Sequence, residues 1–307
     1  MPIAFFKTLE PVLSQYIAEI SRDYRISKDD AFDRAKKFPA DNGNQYCTDD
    51  PALKHGDPLY RHVYLYTHVG VHANLIDKAF CKSRTLHALV KNKLDGQKLN
   101  VCSLGGGPGS ELLGLVKYVE RVRKGDSRIE VAFKRIDTVP LWAQSWEALV
   151  RGLEETFGAT YGIDRRDWPV VIHRSFLPLD LARVDDFLQF PTEFKEPELF
   201  ILNHAVSELI AAKDLFREVF NHLVDRASDG ACFLIIDRNQ PKVLKTVEEL
   251  LNHKDLDNLG TITESTNMDG DERASTLGEW FELMWRRHPK LTWKAFFTMA
   301  RKNVSSI

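Results

Sequence analysis

The chain has 307 residues, of which 43% are hydrophobic and 28% charged, and its formal net charge at pH 7 is −2. These values are typical of a globular protein with a sizeable core, and they give no overall attraction to nucleic acid or anionic membrane. No apolar run reaches the length of about 18 residues that a membrane-spanning helix needs. Charged residues also interrupt the N-terminal run, so we expect no signal peptide. The cysteines lack metal-ligand spacing, and we expect reduced thiols in a cytoplasmic or nuclear protein.

Residues 1–95 show helical patterns and precede the glycine-rich part of the chain. Apolar residues recur at helical spacing between Phe5 and Ile17, and Ser27 is a candidate N-cap for a second helix. A polar loop is expected at residues 41–58. The pattern predicts a helical N-terminal cap over residues 1–95.

The segment 59–76 is rich in aromatic residues and histidine and leads into an amphipathic helix predicted to reach Ala88. One interpretation packs its tyrosines and valines onto a sheet. The other makes it a lid that brings Arg61, Tyr64 and Tyr66 towards a bound ligand or substrate. Its histidines are not accompanied by an acid or cysteine that would complete a metal site, so no metal is predicted.

Glycines dominate the turn that follows the apolar run at residues 100–104: Gly105, Gly106, Gly107 and Gly109. An apolar segment with helical periodicity comes next, which predicts a strand, a tight turn and a helix. Glycine allows positive φ and close approach of a ligand to the main chain. The free N–H groups at the start of the helix point towards that ligand. A nucleotide-like cofactor is therefore predicted at this turn.

Glycine spacing favours one cofactor over another. The dinucleotide fingerprint G-x-G-x-x-G/A matches only in part, because its third small position falls on Ser110. The register G-x-G-x-G is met in full by Gly105, Gly107 and Gly109, and it resembles motif I of the class I S-adenosylmethionine-dependent methyltransferases. That family often has an acid two positions before the first glycine, where this chain has Ser103. The resemblance implies S-adenosylmethionine as cofactor, with its methionine part against this loop.

The rest of the chain alternates apolar strand patterns with helical ones. Further strands are predicted at residues 129–136, 168–173, 199–203, 231–237, 260–265 and 292–300, with an acidic loop at 268–273 and a helix around 280–287. Continuous apolar runs with helices between them indicate parallel strands buried on both faces. The last two strands resemble the sixth and seventh of the methyltransferase fold. We predict an α/β fold over residues 96–307: a Rossmann-like seven-stranded, mostly parallel sheet with the last strand antiparallel, plus the helical cap.

Ligands of such folds lie at the carboxyl ends of the strands. Asp137 ends the second predicted strand, where its carboxylate would accept hydrogen bonds from ribose hydroxyls. Ser175 and Phe176 follow the third and are the candidates for adenine contact, and Asn203 ends the fourth. Asp137→Ala is expected to weaken cofactor binding without unfolding the protein.

The segment after the fourth strand lacks the motif by which related enzymes hold an exocyclic base amine, (Asn/Asp)-Pro-Pro-aromatic. The chain also lacks the Pro-Cys pair of enzymes that methylate cytosine C5. An oxygen or nitrogen acceptor in RNA, protein or a small molecule therefore remains. His204 and Glu208 are best placed to orient or deprotonate it. Alternatively, Glu208 only begins a helix whose dipole it complements.

The C-terminal segment 281–307 is the only part with a marked charge bias, which is basic. With its tryptophans it is a candidate RNA contact, although such a run is more often a solvated face. The resemblance implies methyl transfer from S-adenosylmethionine. Two alternatives stay open: a catalytically inactive methyltransferase-like scaffold that binds partners or RNA, and an NAD-dependent oxidoreductase, which the glycine spacing disfavours.

Overall fold

The structure is a computed structural model that describes residues 5–36, 56–162, 164, 167–267 and 292–304. The predicted acidic loop at 268–273, the helix around 280–287 and most of the loop at 41–58 lie outside the described residues.

Helices make up the described part of the chain before residue 95. They are α1 (Phe5–Tyr24), α2 (Lys28–Lys36), α3 (Pro58–Tyr64), a π-helix (Leu65–Val69), α4 (Gly70–Lys82) and α5 (Arg84–Lys91). Strands and helices then alternate: β1 (Asp95–Leu104), α6 (Ser110–Val122), β2 (Arg128–Ile136), α7 (Trp142–Tyr161), β3 (Val170–Leu177), α8 (Val184–Leu188), β4 (Leu199–Asn203), α9 (Ala205–Glu208), a 3₁₀ turn (Ile210–Ala212), α10 (Lys213–Arg226), β5 (Cys232–Arg238), α11 (Pro241–Leu251), β6 (Leu256–Asn267) and β7 (Thr292–Lys302).

The seven strands form one sheet in the order β3-β2-β1-β4-β5-β7-β6. Strands β1 to β5 pair in parallel, and β7 runs antiparallel to both β5 and β6. Every residue of β4 is buried, as expected for a central strand covered by helices on both faces. The predicted Rossmann-like sheet with an antiparallel last strand is confirmed.

The N-terminal helices share a hydrophobic core with the sheet. One cluster of buried side chains runs from Phe5 and Leu9 of α1 through Ile76 of α4 to Val101 and Phe133 of the strands. A second cluster covers the opposite face of the sheet, where α10 and α11 pack. Helices α1 to α5 therefore lie against the sheet domain without a hydrophobic core of their own. The division of the chain at residue 95 stays a prediction.

The segment predicted to lead into one helix up to Ala88 forms several helical pieces. It breaks at Ser83, which is extended and whose Oγ accepts a hydrogen bond from the Leu86 N–H at 3.2 Å, capping α5. A π-helix, a form that often marks functional sites, separates α3 from α4. It immediately follows Tyr64, whose ring lies at the carboxyl ends of the parallel strands.

No helix among the described residues has the length and apolar character needed to cross a membrane. The cysteines in the described part of the chain, Cys81, Cys102 and Cys232, are free thiols.

Candidate functional site

The glycine turn bends sharply between β1 and α6. Gly105, Gly107 and Gly109 have φ of +68°, +42° and +91°, which side-chain-bearing residues rarely adopt. The N–H groups of Gly105 and Gly106 both donate to the Ile136 carbonyl, at 2.9 and 3.1 Å. The turn is therefore attached to the end of β2, the neighbouring strand.

The carboxylate of Asp137 holds this turn from one side. Its Oδ2 accepts a hydrogen bond from the Gly107 N–H and its Oδ1 one from the Val139 N–H, each at 2.9 Å. Asp137 is 8% exposed. Burial raises its pKa, although these two N–H groups and Arg135 oppose the rise. A carboxylate oxygen has two lone pairs, so each oxygen keeps one acceptor position for a ligand.

Arg135 holds the turn from beneath. Its guanidinium is fully buried and donates to the carbonyl oxygens of Gly107 and Trp142. A Cβ at Gly106 would lie 2.5 Å from the Ser103 Oγ and 2.8 Å from the Arg135 Cγ, so this position also requires glycine. Burial lowers the pKa of Arg135 to about 10, which leaves it charged at neutral pH. Both backbone polar groups of Gly107 are thus fixed by residues at the end of β2.

A small cavity opens above the turn, at the carboxyl edge of the sheet. It is lined by Tyr64, Gly105, Gly107, Asp137, Thr138, Val139, Trp142, Asn203 and Glu208. The structure therefore brings together six residues that the sequence suggested for the site: Tyr64, Gly105, Gly107, Asp137, Asn203 and Glu208. The cavity volume is about 70 Å³, well below the roughly 300 Å³ or more of most small-molecule sites. A cofactor of nucleoside size needs a wall to move, and the rings of Tyr64 and Trp142, 5.4 Å apart, form part of that wall.

Of the three residues proposed for a lid, one lies at the cavity. Tyr64 lines it, whereas Tyr66 is completely buried in the core. Arg61 points away, donating from its Nε to the Tyr16 hydroxyl at 3.1 Å and from a terminal nitrogen to the Gly56 carbonyl at 2.9 Å.

The expected position of Ser175 and Phe176 after the third strand is wrong. Strand β3 continues to Leu177, so both residues lie within it. Ser175 is exposed and lines a separate depression together with Lys134, while Phe176 packs against the Arg135 guanidinium at 4.5 Å. Because β3 is an edge strand and half-exposed, its apolar pattern fades before its hydrogen bonds end. Neither residue lines the cavity.

Gly109 and His204 lie beside the cavity rather than in its lining. Gly109 is the N-cap of α6. His204 is 4% exposed and has a strained φ of +62°. Its ring stacks on His72 at 4.3 Å between centroids and meets the edge of Trp293 at 4.8 Å. The ring of His204 is therefore held in one orientation by its aromatic neighbours.

Asp237, at the end of β5, stands behind His204. Its Oδ1 lies 3.6 Å from the His204 Nδ1. Asp237 also accepts hydrogen bonds from the N–H groups of Ser207 (2.8 Å) and Arg238 (2.7 Å). Burial by itself would raise the pKa of Asp237, but His204 and these N–H groups outweigh it and lower the pKa. A buried carboxylate thus faces His204 at near hydrogen-bond distance, and the sequence contained no sign of it beyond an acid at a strand end.

Two carboxyl groups near the cavity have strongly raised pKa values. Burial raises the pKa of Glu208 to about 8, with Asp137 and Asp237 adding to the rise and Arg238 opposing it. Burial raises the pKa of Glu111 to about 7. Glu111 Oε1 accepts from the Ser110 hydroxyl at 3.2 Å, while its Oε2 has no hydrogen-bond partner among the described residues. Titratable groups with strongly shifted pKa values cluster at functional sites.

We expect Glu111→Gln to stabilise the protein in a pH-dependent way. The folded protein holds the Glu111 proton more tightly than the unfolded chain, so the penalty is absent below about pH 4.5 and grows until about pH 7. At pH 8 the amide should raise the free energy of unfolding by about 1 to 3 kcal/mol, and at pH 4.5 by almost nothing. Urea unfolding at both pH values measures this difference. An equal effect at the two pH values would show that ionisation of Glu111 is not its cause.

One group of possible metal ligands occurs among the described residues: Asp225, His253 and Asp255. The Asp255 N–H donates to the His253 Nδ1 at 3.2 Å, so the proton of a neutral ring sits on Nε2, which faces Asp225 at 3.7 Å. A metal-bound histidine instead donates its second N–H outward. The arrangement fits a contact between a neutral His253 ring and the Asp225 carboxylate better than a metal site.

Comparison with known proteins adds the following. Neither a protein-family model nor a curated protein matches the chain. Among solved structures, it is similar to the CurJ carbon methyltransferase, with 11% identity, a TM-score of 0.45, and 95% of this chain and 71% of that chain covered. An O-methyltransferase family protein from Burkholderia thailandensis has 11% identity and a TM-score of 0.44, with coverage of 96% and 72%. The N-methyltransferase NodS from Bradyrhizobium japonicum has 12% identity and a TM-score of 0.37, with coverage of 74% and 97%.

At such low sequence identities and TM-scores, the similarity to these structures does not indicate which cofactor or acceptor this chain binds. The fold follows from the strand order and directions, which are those of the class I methyltransferase fold. The chain therefore has a Rossmann-like methyltransferase fold with a small polar cavity at its glycine turn.

Proposed function

We propose that this protein transfers a methyl group from S-adenosylmethionine to an oxygen or nitrogen acceptor. The observation that carries the proposal is the convergence of three strand ends on one cavity. The glycine turn follows β1, Asp137 follows β2, and Asn203 ends β4, with Glu208 one helical turn further on. This is the edge at which open α/β sheets bind nucleotide-like ligands.

The polar groups of the cavity fit this cofactor. A Cβ at Gly107 would meet only Trp142, at 4.0 Å, so the turn leaves space for a ligand against the main chain. Asp137 keeps acceptor positions for ribose hydroxyls. Asn203 is 6% exposed and its Oδ1 has no hydrogen-bond partner in the described part of the chain, which suits an ammonium group. The rings of Tyr64 and Trp142 provide apolar walls.

S-adenosylmethionine supplies a methyl group on a positively charged sulfur. The chain has to place an acceptor in line with that methyl group and keep water away, which by itself lowers much of the barrier. Glu208 is a carboxyl group of the cavity wall, and in its ionised form it would accept a proton from the acceptor. His204 lies beside the cavity, where Asp237 and the stacked rings hold it in position to orient an acceptor.

The non-catalytic scaffold remains the second candidate because of the cavity volume. About 70 Å³ holds a few water molecules but not a nucleoside. If the walls formed by Tyr64 and Trp142 do not open, the fold serves as an interaction surface only. The oxidoreductase alternative has no observation in its favour beyond the shared type of sheet.

RNA as the acceptor stays a prediction. Arg286, Arg287 and Lys290 of the basic segment lie outside the described residues. Lys302, at the end of β7, donates to the carbonyl oxygens of Asp225 and Ala227, at 3.0 and 2.7 Å. Lys302 therefore stabilises the fold, and an RNA contact would depend on the other basic residues of the segment.

Methyl transfer is tested with methyl-labelled cofactor and separate RNA, protein and small-molecule fractions of a cell extract. Gly107→Arg is the matched inactive variant, since its side chain would enter the cavity at a position where a Cβ meets no close neighbour. We expect the wild type to label one fraction and the variant to label none. Cofactor binding without labelling of any fraction would favour the scaffold. Equal labelling by the wild type and by Gly107→Arg would show that methyl transfer does not depend on this cavity.

A further inference from the structure

We propose that the cavity recognises the positive charge of its cofactor, with Glu208 as the counter-ion, and that cofactor binding displaces a proton from Glu208 into solvent. This inference rests on the proposed function. It adds a basis for distinguishing the cofactor from its demethylated product.

The charge of the cavity wall is the first observation. Asp137 and Glu208 are the acidic residues of its lining, which contains no lysine, arginine or histidine from the part of the chain that the structure describes. Tyr64 and Trp142 lie on the same wall, and the faces of such rings attract cations. Acidic groups and aromatic rings together favour a cationic ligand over a neutral one.

An unpaired acceptor in the same wall is the second observation. Asn203 directs its Nδ2 to the Ser110 hydroxyl at 3.5 Å, while its Oδ1 has no hydrogen-bond partner among the described residues. A nearly buried amide oxygen without a donor is costly, and a ligand bearing N–H groups removes that cost. The Asn203 Oδ1 is therefore an acceptor that the ammonium group of a cationic ligand would satisfy.

The neighbours of Glu208 explain why it holds a proton when the cavity contains no cation. Asp137 and Asp237 act on it as neighbouring acids, Tyr64 lines the same cavity, and Arg238 is the one cation among the described residues that lowers its pKa. Arg238 also lies over the Trp293 ring, at 6.0 Å. Burial and the two acids prevail, so the pKa of Glu208 is about 8. A cation in the cavity would reverse this balance.

The proton balance is simple. S-adenosylmethionine carries a sulfonium, an ammonium and a carboxylate group, whereas S-adenosylhomocysteine has a neutral sulfur. Because burial and the two neighbouring acids raise its pKa to about 8, Glu208 is mostly protonated at pH 7 before binding. Binding the sulfonium ion releases this proton and leaves a carboxylate beside a cation. No covalent bond to carbon forms or breaks in this step.

Isothermal titration of the full chain with both ligands at pH 7, in phosphate and in Tris, tests the inference. Because the two buffers differ in ionisation enthalpy, the difference in heat counts protons. We expect release of up to about one proton with S-adenosylmethionine and almost none with S-adenosylhomocysteine. S-adenosylmethionine should bind at least about tenfold more tightly. Its affinity should rise by up to about tenfold per pH unit below pH 8 and level off above it.

Two variants separate the charge effect from a structural one. Glu208→Gln should abolish proton release and bring the affinities for the two ligands within about threefold of each other. Glu111→Gln removes another buried carboxyl that does not line the cavity, and it should keep both the proton release and the preference. Equal binding of the two ligands by the wild type without proton release would overturn the inference and leave the proposed function intact. Absence of binding by both ligands would overturn the inference and the proposed function together.

Discussion

Gly109→Ala is expected to lower the free energy of unfolding by about 2 to 5 kcal/mol and to abolish cofactor binding. Gly109 has φ +91°, so any side chain there strains the backbone. A Cβ at this position would also overlap the ring of Trp146. That ring is buried and packs against Phe133 with centroids 5.3 Å apart, so it has little freedom to move aside. Urea unfolding and cofactor titration measure the two effects.

Gly125→Ala is the matched control. Gly125 has φ +55°, but a Cβ there would meet nothing within 4 Å. It isolates the backbone strain, and we expect a loss of about 1 kcal/mol with unchanged cofactor binding. If the two alanine variants were equally stable, overlap of a Cβ at position 109 with the Trp146 ring would not be the cause of the lost stability.

Asp137→Ala is expected to cost about 2 to 4 kcal/mol of stability and to remove detectable cofactor binding. The alanine leaves the N–H groups of Gly107 and Val139 without their acceptors, and each lost acceptor for a buried donor is costly. The sequence alone predicted weaker binding without unfolding of the protein. The structure adds the loss of stability, because Asp137 also holds the glycine turn. Thermal unfolding and titration of the variant test both parts.

Asp180→Ala is the control for Asp137→Ala, because it also removes an acid that follows a strand but leaves the glycine turn untouched. Asp180 follows β3, and its Oδ1 accepts a hydrogen bond from the Ala182 N–H at 2.9 Å, but it does not line the cavity. We expect a loss of about 1 kcal/mol and normal binding. Normal binding by Asp137→Ala would remove Asp137 from the cofactor site.

Local patterns were enough to predict the sheet and the centre of the site. The glycines and the apolar run before them form one strand-turn-helix unit, so Gly105 and Gly107 could be placed without tertiary information. Asn203 ends a strand with a continuous apolar run, and Asp137 follows a strand whose buried apolar residues alternate with polar ones. The ends of parallel strands converge on one edge of the sheet. These positions follow from periodicity and topology alone.

The remaining parts of the site depend on contacts between distant segments. Arg135 looked like an ordinary polar residue of a strand, yet it binds the underside of the turn because β2 lies next to β1. Tyr64 reaches the cavity through the π-helical junction of the N-terminal helices, and no local pattern distinguishes it from Tyr66. The end of β3 was misplaced because an edge strand half-exposed to solvent loses its apolar pattern early.

Isothermal titration of the purified wild-type protein with S-adenosylmethionine tests the central claim most directly. We predict saturable binding at one site with micromolar or tighter affinity, together with thermal stabilisation and no response to NAD. The Gly107→Arg variant should show neither heat nor stabilisation. Absence of heat and of stabilisation in the wild type at millimolar ligand would contradict the cofactor site and leave the fold as a binding scaffold.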